Sequence, residues 1–458
     1  MTGEIGTESA RGGNRKRNFL IFVLFLTSTL NFADRAVFSV LAQTIKVDLR
    51  LSDLQLGLLQ GMVFALLYAA SALPIGLAAE RISRKRIIAV ATMVWSVATA
   101  TTGMAGSFFQ LAAARLVVGM GEAGFVPPAA SMVADVFPRQ RRASAFSLVM
   151  LGTPVGTLAG ATLAGHIAGI WDWRTAFLFF AIPGFLTAAL LLLFVDEPAR
   201  GMQDDLAAQK DKAPPFREFL TTVAGNRPLL WVIAGGSLAG FGLTSISQFL
   251  AVFLARVHEL NVRDAATSFG VISGVSITVG LLAGSFGTDF LARRDPRWPA
   301  WGAAIGLLCA PPLYWVAFHA ASITVSFAML MIAGSFLLMF YGPTTGMLQN
   351  LLPTRMRASG LALYMLLYTL IGPGLGPVFV GGMSDWQAKA AYFGNFARDC
   401  PSGLPAPGAS ETVAAACRAA SSAGLQSALS MAVMIFVAAS LCFLRAASGL
   451  KAAAQTKA

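Results

Sequence analysis

The feature that most constrains this chain is the recurrence of apolar stretches long enough to cross a lipid bilayer. A helix of about 20 mostly apolar residues spans the hydrocarbon core with every backbone polar group paired. Of the 458 residues, 56% are hydrophobic and 12% are charged, against roughly 25% charged residues in soluble domains. The sequence predicts an all-α membrane protein with twelve transmembrane helices, at residues 18–45, 54–78, 86–106, 108–134, 143–168, 174–195, 229–257, 265–289, 299–318, 321–350, 358–384 and 425–447.

The distribution of basic residues predicts which side of the membrane each loop faces. With twelve spans both termini lie on one side, and that side carries 24 of the 34 Lys and Arg residues. The opposite loops hold 8, and Arg35 and Arg115 lie within spans. Because Lys and Arg accumulate in cytoplasmic loops, we expect a multi-pass protein of the plasma (inner) membrane with cytoplasmic N- and C-termini. The net charge of +12 is confined to these short clusters, so no nucleic-acid partner is expected.

Repeated motifs indicate an internal duplication. Pro-Arg-Gln-Arg-Arg-Ala-Ser at 138–144 returns as Pro-Thr-Arg-Met-Arg-Ala-Ser at 353–359, which predicts two pseudo-symmetric six-helix bundles. The predicted parts are a cytoplasmic N-terminal tail (1–17), an N-terminal bundle (18–195), a cytoplasmic linker (196–228) with a short interfacial helix at 216–223, a C-terminal bundle (229–447) with an extracytoplasmic loop (385–424), and a cytoplasmic tail (448–458).

Four charged side chains lie inside the predicted spans 1 and 4: Asp34, Arg35, Arg115 and Glu122. Charges within hydrocarbon are costly, so they predict a water-filled interior that handles a substrate. At about 1.5 Å per residue, Asp34 and Arg115 reach similar depths, and Glu122 lies on the same helix face as Arg115. These residues favour a transporter over a simple membrane anchor.

Several motifs resemble those of a known transporter superfamily. Gly76-x-x-x-Glu80-Arg81-x-x-Arg84-Lys85 resembles the loop signature of the major facilitator superfamily, with Glu80 where Asp is usual and Ser83 where Gly is usual. Arg115-x-x-x-Gly119 resembles its span-4 signature. Segments 31–35, 119–123, 137–138 and 142–143, with 356–358 and 374–377, look most like the Spinster family, which is associated with lysophospholipids and sphingosine phosphates. Organic-anion symporters share a similar Asn-x-x-Asp-Arg and Gly-Glu-Ala.

The resemblance implies the major facilitator fold, in which spans 1 and 4 face each other. Asp34 can then reach Arg115, and Glu122 can reach Arg35. Because burial raises a carboxylate pKa and a nearby guanidinium lowers it, exchange of partners between states would couple protons to transport, with Asp34 or Glu122 as the protonation site. The alternative is a fixed structural quartet that holds the two spans together.

The expected function is secondary active transport of an amphipathic anion, such as a lysophospholipid or sphingosine phosphate, by proton-coupled alternating access. The alternative is a proton-coupled symporter of small organic anions. A polar stripe on span 1 and an uncharged one on span 7 suit an anionic head and an acyl tail, although aromatic residues at helical spacing also serve ordinary packing. The predicted substrate-binding residues are Asn31, Arg35, Arg115, Glu122, Thr244, Gln248, Tyr341, Tyr364 and Tyr368.

Charged residues at the predicted cytoplasmic helix ends are expected to control conformation. Carboxylates and guanidiniums there can pair with each other or with helix termini, which would hold the outward-open state. Positive-inside anchoring is the simpler explanation for part of the set. The predicted gating residues are Glu80, Arg81, Arg84, Lys85, Arg142, Asp289, Arg293 and Arg357.

Other features exclude several classes of function. No nucleophile cluster, nucleotide-binding P-loop or His/Cys metal motif is apparent, so neither an enzyme nor a cofactor or metal is expected. Cys400 and Cys417 share the extracytoplasmic loop between spans 11 and 12, where they form either a disulfide or two unpaired thiols. The expected partners are the lipid bilayer, the substrate and protons, and the superfamily resemblance implies a monomer.

Overall fold

The structure is a computed structural model that describes residues 2–200, 216–353 and 356–455. Within these ranges every regular element is a helix. The middle of the predicted linker, at 201–215, and Thr354 and Arg355 of the repeated motif lie outside the described residues.

Helices account for all of the predicted spans in the first half of the chain. The helix α10 also matches the short helix predicted at 216–223. These helices are α1 (Thr2–Leu49), α2 (Asp53–Gln60), α3 (Met62–Ala79), α4 (Arg84–Gly103), α5 (Phe108–Glu122), α6 (Val126–Val136), α7 (Arg139–Met150), α8 (Gly152–Ile170), α9 (Trp173–Phe194) and α10 (Phe216–Gly225).

The second half of the chain is also helical. It contains two short π-helical segments at Ala283–Gly287 and Leu370–Leu375 and a 3-10 turn at Pro401–Gly403. The α-helices are α11 (Arg227–Val257), α12 (Val262–Leu282), α13 (Thr288–Ala292), α14 (Trp298–His319), α15 (Ile323–Leu338), α16 (Tyr341–Leu351), α17 (Arg357–Thr369), α18 (Gly376–Ala391), α19 (Phe396–Asp399), α20 (Glu411–Val433) and α21 (Ile435–Gln455).

Eleven helical stretches in the described part of the chain are long and apolar enough to cross a membrane. The remaining predicted span, 86–106, coincides with α4, which has 20 residues. Its first turn carries Arg84, Lys85 and Arg86, and threonines interrupt its apolar sequence. The helix is therefore present but less apolar than the others.

Several spans are broken rather than continuous, and small residues or proline lie at the breaks. Gly61 separates α2 from α3, and a Cβ at this position would lie 2.7 Å from the carbonyl oxygen of Gly374. Only glycine allows the two backbones to come this close. Pro373 lies within the second π-helical segment, because it lacks the N–H group that an α-helix would use there.

The chain divides into two compact units. The first comprises Met1–Phe38 and Leu66–Lys210, and the second comprises Ser39–Ala65 and Asp211–Ala458. The core of the first unit includes Trp95 and Phe125. In the second unit, the rings of Phe253 and Phe318 pack edge to face with centroids 5.2 Å apart. The hairpin formed by residues 39–65 packs with the second unit, although it precedes that unit's other residues by nearly 150 positions.

The predicted extracytoplasmic loop at 385–424 is helical at both ends. Helix α18 continues to Ala391, and α20 begins at Glu411. The hydroxyl of Ser410 accepts a hydrogen bond from the amide of Val413 and caps α20, and the alanine-rich sequence that follows has a high helix propensity. The non-helical part of the loop is accordingly shorter than the sequence indicated.

Candidate functional site

The charged residues predicted to form the site meet in the first unit. Asp34 and Arg35 are neighbours on α1, and Arg115 and Glu122 lie seven residues apart on one face of α5. Asp34, Arg115 and Glu122 are buried. The site is therefore built on two helices, in accordance with the sequence pattern.

An ion pair joins Arg35 to Glu122. Arg35 donates its Nε hydrogen to Oε2 of Glu122 at 2.5 Å. The Arg35 side chain is 32% exposed, whereas that of Glu122 is 0% exposed. Oε1 of Glu122 and Nδ2 of the neighbouring Asn31 are buried without a hydrogen-bond partner in the described structure. The arginine side chain is thus partly accessible, whereas the carboxylate is enclosed.

Aromatic rings surround both guanidinium groups. The Arg35 guanidinium carbon lies 5.4 Å from the ring centre of Phe32 and 5.2 Å from that of Tyr68. The Arg115 guanidinium carbon lies 4.5 Å from the ring centre of Phe38. Ring faces attract cations, so these contacts hold the guanidiniums in place. The sequence analysis missed the three rings, and the aromatic spacing of Phe32 and Phe38 around Asp34-Arg35 is the signal that would have found two of them.

Asp34 lies near both a hydroxyl donor and a guanidinium. Its carboxylate accepts a hydrogen bond from the Thr99 hydroxyl of α4 at 3.2 Å. The Arg115 guanidinium is close enough to attract this carboxylate electrostatically. Phe38 follows Asp34 by one helical turn, and its ring faces the same guanidinium.

The polar residues predicted on span 7 make local contacts in the second unit. Gln248 accepts a hydrogen bond from the Ser39 hydroxyl. The Thr244 hydroxyl donates to the carbonyl of Gly240 in its own helix, at 2.9 Å. Neither contact involves a charged group.

The three predicted tyrosines form one ring cluster in the second unit. The ring centres of Tyr341 and Tyr368 are 6.4 Å apart, and those of Tyr364 and Tyr368 are 5.8 Å apart. Tyr364 is only 2% exposed. A Cβ at Gly236 would lie 2.7 Å from the Tyr364 hydroxyl, so this tyrosine packs directly against α11. The cluster is largely part of the helix packing.

Among the predicted gating residues, Arg84 has the most complete set of contacts. It forms ion pairs with Asp135 and, at 2.9 Å, with Glu197, and it donates to the Ser131 hydroxyl at 2.9 Å and the Pro198 carbonyl at 2.7 Å. Sequence reasoning missed these four partners because they come from distant helix ends. Together they fix the start of α4 against the ends of α6 and α9.

Glu197 is held as a carboxylate by its neighbours. Burial alone would raise the pKa of Glu197, but hydrogen bonds from the Ser83 hydroxyl and from the Lys85 and Arg84 groups outweigh it and lower that pKa below its ordinary value. The Ser83 bond measures 2.7 Å and the Lys85 amide bond 3.0 Å. Ser83, where the superfamily signature usually has Gly, therefore has a defined contact.

The remaining gating residues differ between the two halves. In the first half, Lys85 donates to the Val195 carbonyl at 2.8 Å and Arg142 to the Phe137 carbonyl at 3.1 Å. Glu80 lines a cavity of about 310 Å³ beside Arg84. For Arg81, Asp289, Arg293 and Arg357 the described part of the structure contains no hydrogen bond or ion pair of the side chain.

Cys400 and Cys417 are joined by a disulfide in the structure, with a sequence separation of 17. Both are buried among Ala388, Phe396 and Ala420. Within the described ranges no group of three or more His, Cys, Asp or Glu side chains is placed to hold a metal ion.

A family model and a solved structure both relate this chain to one superfamily of transporters. The family model of the Major Facilitator Superfamily matches residues 24–377. The crystal structure of a bacterial homolog of the human lysosomal transporter Spinster, in an inward-facing and occupied conformation, is 31% identical, with a TM-score of 0.83 over 94% of this chain and 96% of that one.

Two curated relatives cover most of the chain. An MFS-type efflux pump of Mycolicibacterium smegmatis is 30% identical over 83% of this chain and 88% of its own length. The sphingosine-1-phosphate transporter SPNS2 of Xenopus tropicalis is 26% identical over 79% of this chain and 73% of its own. The predicted fold is confirmed by these matches. The chain belongs to the major facilitator superfamily, a family of membrane transporters and not of enzymes, and has Spinster proteins among its relatives.

Proposed function

We propose that this protein moves an amphipathic anion across the membrane by proton-coupled alternating access. The observation that carries the proposal is the ion pair between the accessible Arg35 and the enclosed Glu122. An arginine that is reachable from solvent offers a guanidinium to a phosphate or carboxylate, for which its planar donor geometry is well suited.

The same pair provides a route to coupling. An anionic head group that binds Arg35 competes with Glu122 for the guanidinium. The released carboxylate is buried and has lost one of the two cations that stabilise its charge, which favours uptake of a proton. Asp34, with Thr99 as its hydrogen-bond donor, is the second candidate for protonation. Substrate and proton would then be bound in the same state of the transporter.

The substrate class is supported by the relatives and by the division of polarity. One relative is a sphingosine-1-phosphate transporter, and sphingosine phosphate combines an anionic head with an apolar tail. The charged groups, with Asn31, belong to the first unit, whereas Thr244, Gln248 and the tyrosines of the second unit are uncharged. We assign the anionic head group to the first set.

A small organic anion is the second candidate substrate. Tyr364 is buried and Tyr368 packs against Gly240, so two of the predicted tail contacts are already used in helix packing. That observation favours a substrate with no long tail. Arg35 and Arg115 would bind its carboxylate in the same way as a phosphate head.

The placement in the membrane is part of the proposal. The excess of Lys and Arg on one side supports a plasma (inner) membrane protein with both termini cytoplasmic. We retain the two six-helix halves at 18–195 and 229–447 and a monomeric state. The Arg84 cluster, with Asp135 and Glu197, is assigned to control of conformation on the cytoplasmic side.

Ligand-dependent thermal stability followed by counterflow tests the proposal. The purified protein is screened with lysophospholipids, sphingosine phosphate and sugar acids, since a ligand that binds the folded state raises its unfolding temperature. Candidates are then tested for counterflow in liposomes. If only the lipids stabilise the protein and undergo counterflow, the substrate is an amphipathic anion. If only the sugar acids do so, the substrate is a small organic anion. Counterflow by neither contradicts the transport of amphipathic or small organic anions.

A further inference from the structure

A second cluster of buried charges lies in the second unit and is centred on Asp53 at the start of α2. Its carboxylate accepts hydrogen bonds from Lys46 at 2.6 Å, from Arg256 at 2.7 and 2.8 Å, and from the Ser384 hydroxyl at 2.7 Å. The side chains of Lys46, Asp53 and Arg256 are 0%, 2% and 7% exposed. These bonds tie the 39–65 hairpin to α11 and α18.

The neighbouring groups complete this network, which we call the Asp53 cluster. Arg256 also donates to Gln43 at 2.9 Å and to Ser421 of α20 at 3.1 Å. The Asp385 carboxylate accepts from the backbone amides of Asp53 and Leu54, at 3.1 and 2.9 Å. Two cations thus lie with two carboxylates. Separation of the hairpin from α11, α18 and α20 would require all of these charges to be hydrated, because a buried ion that loses its partner is strongly destabilising.

The backbones of the hairpin and α18 come very close beside this cluster. A Cβ at Gly381 would lie 2.1 Å from the Asp53 carbonyl oxygen, and one at Gly57 would lie 2.2 Å from the Pro377 carbonyl oxygen. Glycines on both sides therefore let the helices pack without side chains between them. The docked arrangement is specific and not a loose contact.

Gln60 on the same face of α2 has the opposite effect on docking. It follows Asp53 and Gly57 by two turns and one turn, so the three share one helix face. Its side chain is buried, at 1% exposure, and neither Nε2 nor Oε1 has a hydrogen-bond partner in the described structure. A buried amide without partners destabilises the state that buries it, and water would satisfy it once the hairpin separates.

We propose that the 39–65 hairpin docks reversibly on α11, α18 and α20 during transport, with the Asp53 cluster as the lock and Gln60 as the residue that keeps the lock openable. This inference rests on the proposed alternating-access function. A transporter must leave each of its states, and a docked state held by the full cluster without an opposing group would be populated too strongly.

Thiol labelling of a buried reporter tests the proposal. Leu56 is fully buried on α2, and Leu56→Cys in a Cys309→Ala/Cys442→Ala background reacts with N-ethylmaleimide when the hairpin undocks. In the purified full-length protein the labelling rate follows the population of the open form, provided that opening and closing are fast.

Three substitutions in this background have defined expected results. Gln60→Leu slows labelling about tenfold, because the unpaired amide is removed from the docked state. Asp53→Asn accelerates it about tenfold or more, because two buried cations lose their counter-charge. Ser384→Ala, which removes one neutral donor, accelerates it by about threefold and folds even if Asp53→Asn does not.

A matched glutamine provides the control. Gln426 of α20 donates to the Phe318 carbonyl at 2.9 Å, so Gln426→Leu removes a satisfied amide and should not slow labelling. Labelling of Gln60→Leu at or above the parent rate overturns the role of Gln60, and unchanged labelling of Ser384→Ala overturns the lock. The reaction needs neither substrate nor a proton gradient. A failed transport assay would contradict the proposed function and leave these rates unaffected.

Discussion

Asp53 in the second unit and Glu122 in the first are both buried carboxylates paired with an arginine, but their surroundings differ. Both Asp53 oxygens are bonded, to Lys46, Arg256 and Ser384. Only one Glu122 oxygen accepts a hydrogen bond from a cation, and that partner, Arg35, is 32% exposed. Burial and pairing alone therefore do not distinguish the two sites.

The completeness of hydrogen bonding does distinguish them. A saturated buried network holds one arrangement, whereas a carboxylate whose hydrogen-bonded cation is partly exposed can exchange that partner. We therefore assign the Asp53 cluster to holding one conformation of the transporter. We assign the pair of Arg35 and Glu122 to binding the substrate and a proton. The following predictions test that division, from the largest expected effect to the smallest.

The same acid-to-amide substitution should have different effects at the two sites. Asp53→Asn leaves Lys46 and Arg256 buried together without a counter-charge and should cost about 3 to 5 kcal/mol of unfolding free energy. Glu122→Gln should cost less, about 1 to 3 kcal/mol, because Arg35 loses a charged hydrogen-bond partner but is 32% exposed and can be partly hydrated. Thermal unfolding in detergent measures both changes, with the exposed Glu411→Gln as control. Equal losses at the two positions would remove the distinction.

The disulfide is expected to stabilise the loop next to the Asp53 cluster. Gly403 lies within the bridged segment with a φ of +73°, and a Cβ there would be 3.3 Å from Lys46 Nζ. For the sequence separation of 17, a bridge contributes about 3 kcal/mol by the chain-entropy argument.

The double variant Cys400→Ser/Cys417→Ser should lower the unfolding temperature accordingly. The same replacement of the two free cysteines, Cys309 and Cys442, serves as control. If Cys400→Ser/Cys417→Ser unfolds at the same temperature as this control, the disulfide does not stabilise the loop beside the Asp53 cluster.

Tyr68 should affect substrate affinity more than stability. Its ring centre lies 5.2 Å from the Arg35 guanidinium, and loss of a cation–π contact of about 1 kcal/mol corresponds to roughly fivefold in affinity. Tyr68→Ala should therefore raise the KM for uptake by about fivefold. Tyr68→Phe keeps the ring but loses the hydroxyl that hydrogen-bonds Arg35, and should raise the KM by less. A similar KM for Tyr68→Ala and the parent would argue against the ring's role.

Glu197 should give the smallest effect, and the pH dependence of that effect should appear only in acid. Its pKa is lowered in the folded state, so its contribution to stability is full above the unfolded-state value near 4.3 and is lost as the pH falls through the folded value. Unfolding temperatures measured from pH 6 downwards should decline less steeply in Glu197→Gln than in the parent. Parallel curves would contradict the assigned pKa direction.

Sequence patterns predicted the helices and the helix faces of the four buried charged residues because both depend on local spacing. Apolar length identified the spans, and the seven-residue interval between Arg115 and Glu122 placed them on one face of α5. The helical ends of the 385–424 loop depend on capping and helix propensity, which a hydropathy reading does not include.

Contacts between distant segments could not be predicted in the same way. Asp53, Lys46 and Arg256 lie at span ends, where single charges are common, and nothing in their spacing links residue 53 to residue 256. Likewise, Asp135 and Glu197 looked like ordinary loop residues until α4, α6 and α9 were placed together. The Asp34 contact with Thr99 depended on side-chain direction, which helix depth alone does not give.

Proton-driven uptake in liposomes tests the central claim most directly. With the substrate identified by counterflow, an imposed pH gradient should accelerate uptake by the parent and by Glu411→Gln. In Glu122→Gln, counterflow should persist while the response to the gradient is lost, because the amide cannot exchange a proton. An unchanged response to the gradient in both Glu122→Gln and Asp34→Asn would contradict the account.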